Sequence, residues 1–573
     1  MSENKGFIPL SEVSGIGKRT PETPSIIKKT AQPSGNFPRL NENKLAFIVQ
    51  PSMFRAYTGT RINAATQVYP IQAFLWLSAS VKKAIPGFQT VVCDMGVMSD
   101  KNALAWREYI KFMEQERPKF ICLTVTTPIY YEAKLAGIIA KQVLGPDVII
   151  IHGGVHASAN MPTFKGYKES LTDSMCDIVA RGEGEITLGE ICQGKPLKDI
   201  LGIIYRRDNR RWMTVTVNEI LERLAKGEEP YHIQRGAVFS LDPEVQKNFP
   251  RPLLTTKQLD ALPFQDLELY DFWRYHNPRI IVKSHPFIQY ETSRGCPEQC
   301  SFCSAATDKF RVFSPDRVVE ELKYYKRYGI KEVRINDDQF LASLKRGKII
   351  GEKINQAGLH FDINFGNGVR ADKCDEEFLR LFKRAGLYQV GAGFESGDQE
   401  SLDSIKKALG LQQSIEVMHL FRKVEIEVVG FFMIGTPGDT LKSMQKTCEF
   451  AKLLMPDYAK VTICIPFPDT PLFNEYDEQG LINKPERWDL YNIHKAADVY
   501  RHPNSELTSE VLMQWYKKFY RDFYGNPAYI KRQLAKSVKD GSIFWKADTA
   551  LRTFFPSIFK TSPLDNVRAH YSD

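Results

Sequence analysis

The chain has 573 residues, ten cysteines and a formal charge of +9. That length exceeds one ordinary hydrophobic core and implies two or three domains. The basic residues are spread along the chain, many in mixed-charge stretches such as 315–328, which describes a solvated surface rather than a nucleic-acid face. Apart from three in one loop, the cysteines stand alone, mostly in apolar runs, which excludes a secreted disulfide framework. The opening residues lack a signal-peptide pattern and no apolar run is long enough to span a bilayer, so a cytoplasmic protein without a transmembrane segment is expected.

Residues 1–43, rich in Lys, Pro, Ser and Thr, predict a flexible tail. From 44 to 202 apolar strands alternate with amphipathic helices: strands at 45–49, 90–93, 120–125, 148–151 and 177–180, helices at 71–81, 104–116 and 130–143. Strands apolar throughout belong to a parallel, doubly wound, Rossmann-like sheet with ligand loops at the strand C-termini. After the fourth strand comes His152-Gly153-Gly154-Val155-His156-Ala157-Ser158, where two glycines let backbone approach a bulky ligand; a simple turn is the plainer reading. For His152 and His156 the plainer reading is an imidazole hydrogen-bonded within the loop.

Residues 203–284 read as a hairpin, with 203–207 and 212–217 flanking Asp208-Asn209-Arg210, followed by a linker. Its part from 218 to 256 is a candidate lid or substrate contact. From 285 to 474, six strands near 286–291, 332–336, 361–365, 389–395, 427–433 and 459–464 alternate with helices at 315–328, 342–356, 375–385, 398–408 and 440–454. This predicts a partial (β/α)6 barrel with functional residues at strand C-terminal ends. Residues 475–573 form a helical C-terminal region. There Leu507, Val511, Leu512, Trp515, Phe519 and Phe523 recur at helical spacing behind Thr508 as N-cap, an aromatic stripe that reads first as core packing.

After the first barrel strand stands Thr292-Ser293-Arg294-Gly295-Cys296-Pro297-Glu298-Gln299-Cys300-Ser301-Phe302-Cys303. Three thiolates in one short loop can wrap a small metal centre. Such a set suits iron and sulfide, leaving one iron of a four-iron cluster open to substrate. A zinc knuckle would need a fourth protein ligand at short spacing, and none follows. The C-x3-C-x2-C spacing with an aromatic before its last cysteine resembles the radical S-adenosylmethionine (SAM) superfamily. The Rossmann-like domain ahead of it, with its Gly-Gly-x-His-x-Ser segment and Arg181-Gly182-Glu183-Gly184-Glu185, resembles the B12-dependent branch of that superfamily, in particular its class B methyltransferases.

The resemblance implies that Cys296, Cys300 and Cys303 ligate a [4Fe-4S] cluster, with Phe302 beside the adenine of SAM. It implies that Asp337, Asp338, Arg370, Glu395 and Ser396 contact SAM: a carboxylate accepts from ribose hydroxyls or ammonium, and an arginine can fork onto a carboxylate. For Asp337 and Asp338 a helix N-cap is the other reading. Thr124, Thr126, Gly153, Gly154 and His156 would lie at cobalamin, although the Asp-x-His-x-x-Gly pattern of a lower imidazole ligand is missing.

In the implied reaction one SAM methylates cob(I)alamin. A second SAM is cleaved to a 5′-deoxyadenosyl radical that abstracts hydrogen from an unactivated substrate carbon, which then takes the methyl group. A flavodoxin- or ferredoxin-type electron donor is implied, and the substrate is left open among a small molecule, lipid, peptide or tetrapyrrole. The alternatives are a non-methylating relative of the anaerobic tetrapyrrole ring cyclase or oxidase type, an RNA methylthiotransferase, and a non-catalytic SAM- or cobalamin-binding regulator. The methylthiotransferase would require a second cysteine triad and a basic C-terminal barrel, and neither is legible here. The C-terminal helix could cover the active site.

Overall fold

A computed structural model describes residues 37–543 except 51–68, 98–101, 161–163, 209–210, 241–242, 276, 278, 280, 308, 484–486 and 495–498. Most of the expected tail 1–43 lies outside the described residues, but its last residues do not belong to a tail, because the first strand begins at Asn41. Strands β1 (Asn41–Val49), β2 (Gln89–Asp94), β3 (Pro118–Thr124), β4 (Ile149–Gly153), β5 (Ile178–Ala180), β6 (Ile203–Arg206), β7 (Arg211–Met213), β8 (Val238–Ser240) and β9 (Val245–Lys247) build the first half.

The main sheet has the order β2-β1-β3-β4-β5-β6-β9. It is parallel from β2 to β5, and β6 and β9 extend it antiparallel. In β1, Leu45 to Ile48 have no exposed surface, as a central strand between two helical layers requires. The helices form two packing groups, Gln72–Ala84 with Glu185–Cys192, and Asn102–Glu116 with Tyr130–Leu144 and Val217–Ala225. The chain leaves β1 toward β2 on one side and β3 on the other, so a crevice opens at the C-terminal ends of β1 and β3.

The expected hairpin is not formed. Segment 203–206 pairs with β5 and β9, while β7 pairs with β8. All four residues of β6 are buried, and Arg206 Nη1 reaches Leu171 O at 2.7 Å, so the segment is drawn onto the sheet edge instead of a local turn. Within 218–256, the candidate lid or substrate contact, the first helix packs on the first domain, while Leu254 O at its far end accepts from Arg311 Nη1, which follows the cysteine loop, at 3.2 Å. Thr216 and Glu219 cap helix Val217–Ala225 with a capping box. Gln142 fixes the strand entering it, donating to Val215 O at 2.6 Å and accepting from Val217 N at 2.8 Å. Its amphipathic face therefore covers first-domain helices.

The second half contains β10 (Phe287–Tyr290), β11 (Ser293–Arg294), β12 (Arg311–Val312), β13 (Glu332–Ile335), β14 (Asp362–Val369), β15 (Leu387–Glu395), β16 (Glu427–Ile434) and β17 (Tyr458–Ile463). Six of these form an all-parallel open barrel in the order β10-β13-β14-β15-β16-β17, at the six positions the periodicity predicts. The helix expected over 398–408 runs only from Gln399 to Ser404, because Lys406 and Ala408 turn into the left-handed region with φ +54° and +44°. Thr508 caps helix Ser509–Tyr524 as expected. This helix packs outside the barrel: Phe519 meets Phe432 at 5.4 Å, and the Tyr524 hydroxyl donates to Ala459 O at 3.0 Å. The aromatic stripe is thus core packing against β16 and β17, with Leu512 against Gly435 just past the end of β16. Among the described residues no helix is long and apolar enough to cross a membrane.

Candidate active site

The cysteine loop leaves β10 at the C-terminal end of the barrel. The two-stranded ribbon β11-β12 pairs Ser293 with Val312 and Arg294 with Arg311 on either side of it. Asp337, at the end of β13, holds its entry: Oδ1 accepts from Thr292 N at 2.6 Å, and Oδ2 accepts from the Thr292 and Ser293 hydroxyls at 2.7 and 2.5 Å. Asp338 accepts from Gly295 N at 2.9 Å. Further along, Ser301 N donates to Ile405 O at 3.1 Å and Leu472 N to Ser301 O at 2.9 Å, so three barrel loops support the cysteines.

Cys300 is buried, Cys296 and Cys303 half-buried. Burial pushes all three thiols up, Cys300 to about 11, with Lys407 pulling it the other way. Among the described residues no group of three His, Cys, Asp or Glu side chains is placed to hold a metal ion, the three cysteines included. Ligands of an iron–sulfur cube each bind a different iron, and three thiols in one supported loop with no fourth ligand fit that group.

The residues assigned to SAM divide into two sets. Glu395 ends β15 at φ +59°, and its Oε1 accepts from Lys407 Nζ at 2.8 Å. The sequence reading did not single out Lys407. Burial works against its ammonium charge, yet Glu395 and Cys300 hold its pKa above the usual range. A Cβ at Gly393 would stand 2.6 Å from Glu395 Oε1 and 2.9 Å from Lys407 Nζ, so the glycine makes room for this pair.

Arg370, by contrast, has all five N–H donors engaged. Nε and Nη2 fork onto Asp372 at 2.8 and 2.9 Å, Nη1 reaches Glu298 at 2.7 Å, and Lys407 O and Ala408 O take the remaining two at 3.2 and 2.7 Å. It ties the cysteine loop to the turn that carries Lys407 and has no free donor for a ligand. Ser396 is fully buried, its hydroxyl against Thr447 Oγ1 at 3.0 Å and accepting from Asp398 N at 3.1 Å. Asp337 is likewise engaged within the chain. The expected helix N-cap role of Asp337 and Asp338 is not what their hydrogen bonds show, since both bind the cysteine loop. Phe302 is partly buried between Cys300 and Cys303.

In the first domain, Thr124, Thr126, Gly153 and Gly154 meet at the crevice with part of their surface free. Val125 N donates to Gly153 O at 2.7 Å, and Gln50 Nε2 reaches Thr124 O at 3.2 Å from the end of β1. His156 does not join them. It is 1 % exposed, ringed by Tyr130, Phe164 and Trp488 at 4.6, 5.2 and 5.2 Å, with Nδ1 3.3 Å from Thr127 Oγ1. His152 is wholly buried and neither ring nitrogen has a partner; burial drives its pKa down to about 3, so it is neutral.

Segment 181–185 turns out to be the joint between the two halves. Arg294 Nη1 binds Glu183 at 2.8 Å and Nη2 binds Glu185 at 2.6 Å, while Arg311 Nη1 also binds Glu183 at 2.6 Å. Glu183 further accepts from Leu254 N at 2.6 Å. Both sides of the cysteine ribbon are thereby clamped to the loop after β5. The acidic segment stood out in the sequence; its partners, more than a hundred residues away, did not.

The barrel and its cysteine loop define a radical SAM enzyme, and residues 290–451 match the family model of the radical SAM superfamily. An uncharacterized methyltransferase of Pyrococcus horikoshii is 30% identical over 428 residues, covering 73% of this chain and 82% of the relative. The anaerobic magnesium-protoporphyrin IX monomethyl ester cyclase of Cereibacter sphaeroides is 25% identical, over 71% of this chain and 61% of the cyclase. In structure, the radical SAM methyltransferase TsrM of Kitasatospora setae, solved with cobalamin and a [4Fe-4S] cluster, superposes with a TM-score of 0.54 at 17% identity, covering 76% of this chain and 75% of TsrM, and so shares the fold. The chain belongs to the family of this Pyrococcus methyltransferase, carries the radical SAM domain over residues 290–451, and shares the fold of TsrM.

Proposed function

We propose that this enzyme cleaves SAM to abstract hydrogen from a substrate carbon, with cobalamin bound across the crevice of the first domain. The observation that carries the reading is the Glu395–Lys407 pair beside Cys300. A buried ion pair can exchange partners with a zwitterion: Glu395 would take the ammonium of SAM and Lys407 its carboxylate, each charge remaining matched. Lys407 then has the part that the resemblance gave to Arg370. Arg370 and Asp337 are positioning residues for the loop. Cys296, Cys300 and Cys303 would hold a [4Fe-4S] cluster, which supplies, when bound, the electron that breaks the sulfonium bond. Thr124, Thr126, Gly153 and Gly154 would face cobalamin, which supplies a methyl carrier or a redox partner when bound. No lower imidazole comes from His156, which is enclosed by aromatic rings.

Two fates of the substrate carbon have support. Methyl transfer accords with the Pyrococcus relative; a non-methylating ring cyclisation or oxidation accords with the cyclase, whose resemblance spans both domains. Anaerobic purification with an iron and corrinoid count tests the shared part, with one cluster and one corrinoid per chain expected. S-adenosylhomocysteine in equal yield with 5′-deoxyadenosine marks methyl transfer, and its absence marks the other outcome. Cys300→Ala is expected to abolish 5′-deoxyadenosine formation; activity surviving it would refute the ligand assignment.

A further inference from the structure

Two cations inside the barrel play no part in the site described above. Along β16 and β17 buried and accessible residues alternate. Phe432 and Val461 are buried toward the outer helices, whereas Val429, Phe431, Lys460 and Thr462 keep accessible surface and face the lumen. Lys460 is thus exposed to an internal space and not to the outside. Arg334 enters the same space from β13. Its guanidinium lies over β14, where any Cβ on Gly366 would collide with Nη2. Nη1 donates to Ile281 O at 2.6 Å, the Tyr69 ring stands 5.1 Å away, and Nε has no partner.

The Lys460 side chain makes no hydrogen bond or ion pair with any described residue. Its pKa is pushed down to about 8, first by burial and then by Arg334, so the two charges feel each other. The other titratable groups nearby offer Arg334 one partial counter-charge, Glu332, and none of them pairs with Lys460. His494 is held near 4 by burial and by Lys460, and its Nδ1 lies 3.2 Å from the Tyr516 hydroxyl. Glu332, two residues before Arg334 on β13, attracts it, but burial pushes its pKa up to about 7. Its oxygens are shared with Lys283 N, Ser284 N and the Tyr388 hydroxyl at 2.6, 2.8 and 2.8 Å, so it offsets Arg334 only in part and leaves Lys460 unmatched. Two mutually repelling cations in a partly desolvated space are a costly arrangement that an anion relieves.

We propose that the barrel lumen contains an anion subsite, formed by Lys460 and Arg334, that binds a carboxylate or phosphate group of the substrate. This rests on the reading that the substrate meets the adenosyl radical at the strand ends. Arg334 stands one residue below the end of β13 and Lys460 three below the end of β17. The anionic group therefore sits roughly 3–10 Å beneath those ends, at about 3.3 Å per residue. The reacting carbon must lie a few bonds away from that group.

Inorganic phosphate, and separately acetate, serve as probes on full-length, anaerobically purified protein. Phosphate binding is followed by ³¹P line broadening and acetate by its competition. Saturable binding of one phosphate per chain is expected, weakened at least tenfold by Lys460→Met and by Arg334→Lys, and largely kept by Lys460→Arg. Lys460→Met carries the test, since it preserves length at a water-accessible position and its fold is checked by circular dichroism. No saturable binding to the parent protein, or undiminished binding to a folded Lys460→Met, overturns the subsite. Phosphate that displaces SAM would give the site to the SAM carboxylate and overturn the substrate assignment. 5′-deoxyadenosine measured on the same samples separates the two readings. SAM cleavage without phosphate binding removes the subsite alone; phosphate binding without SAM cleavage removes the radical reading alone.

Discussion

A methyl group on Gly154 would lie 2.8 Å from both the N and O of Val125, at a backbone φ of +91°. That glycine is what lets the loops after β3 and β4 touch, and with them the crevice keeps its shape. Gly154→Ala therefore combines left-handed strain with a backbone collision, and a loss of about 2–3 kcal/mol is expected. Urea unfolding measures that loss, and the corrinoid retained after gel filtration is expected to fall with it.

Burial at Asp94 acts through charge instead. Its carboxyl is pushed up to about 6, although the Tyr275 hydroxyl at 2.7 Å and Gly96 N at 2.9 Å work the other way. A raised acid favours the neutral form in the fold. Its contribution is fully present below about 3.8 and is lost as the pH rises through about 6. Against Asp94→Asn, the parent protein is therefore expected to lose about 2–3 kcal/mol between pH 4 and 7. A difference in urea midpoints that stays flat over that range would contradict the assignment.

At the scale of elements, the turn after helix Gln399–Ser404 does the most for the site. Ile405 O supports Ser301, Lys407 meets Glu395, and Ala408 O holds Arg370, all within four residues. The turn achieves this with Lys406 and Ala408 at positive φ and no glycine. Ala408→Gly should relieve part of that strain and stabilise by about 0.5–1 kcal/mol. Gly393→Ala should do the opposite to function: a Cβ between Glu395 and Lys407 parts the pair, and SAM affinity is expected to drop at least tenfold while the iron content holds.

The same turn shows why legibility in the sequence was uneven. Periodicity located all six barrel strands and the five parallel strands of the first domain, because the central ones such as β1 and β3 read as apolar runs and the others alternate with amphipathic helices at regular spacing. The cysteine loop was legible because its chemistry is local. The helix end at Ser404 was not, since left-handed Lys and Ala carry no turn signature. The hairpin expected at 203–217 failed for a related reason: local turn chemistry cannot show that β5 offers a free edge to β6. The resemblance implies ligand contacts at Arg370, Ser396 and Asp337, whereas their hydrogen bonds hold the chain to itself.

Across the whole molecule, the question is what keeps the crevice aimed at the cysteine loop. Glu183 and Glu185 leave β5 and meet Arg294 and Arg311 over separations of 109 to 128 residues, with side-chain exposures of only 6 to 13%. Such pairs are poorly screened, so moderate salt is not expected to open the joint. The Glu183 carboxyl is held below its ordinary 4.5; burial opposes this, but the hydrogen bond and charge of Arg294 prevail. Its contribution is therefore present above 4.5 and lost as the pH falls further. Glu183→Gln leaves two arginines without their shared counter-charge, at a cost of about 3 kcal/mol or more. The ion pairs lie on loops outside both sheets, so that cost is expected at the joint first. Hydrogen exchange should rise together in 181–185 and 292–312 while the strands of both sheets stay protected. Product formed per 5′-deoxyadenosine should fall, because SAM is still cleaved but the first domain no longer stands opposite the radical. Exchange confined to 181–185 with full coupling would mean that the two halves are aligned by other contacts, such as those of Trp488 with the Glu169 carboxylate and the Tyr131 hydroxyl at 2.8 and 3.4 Å.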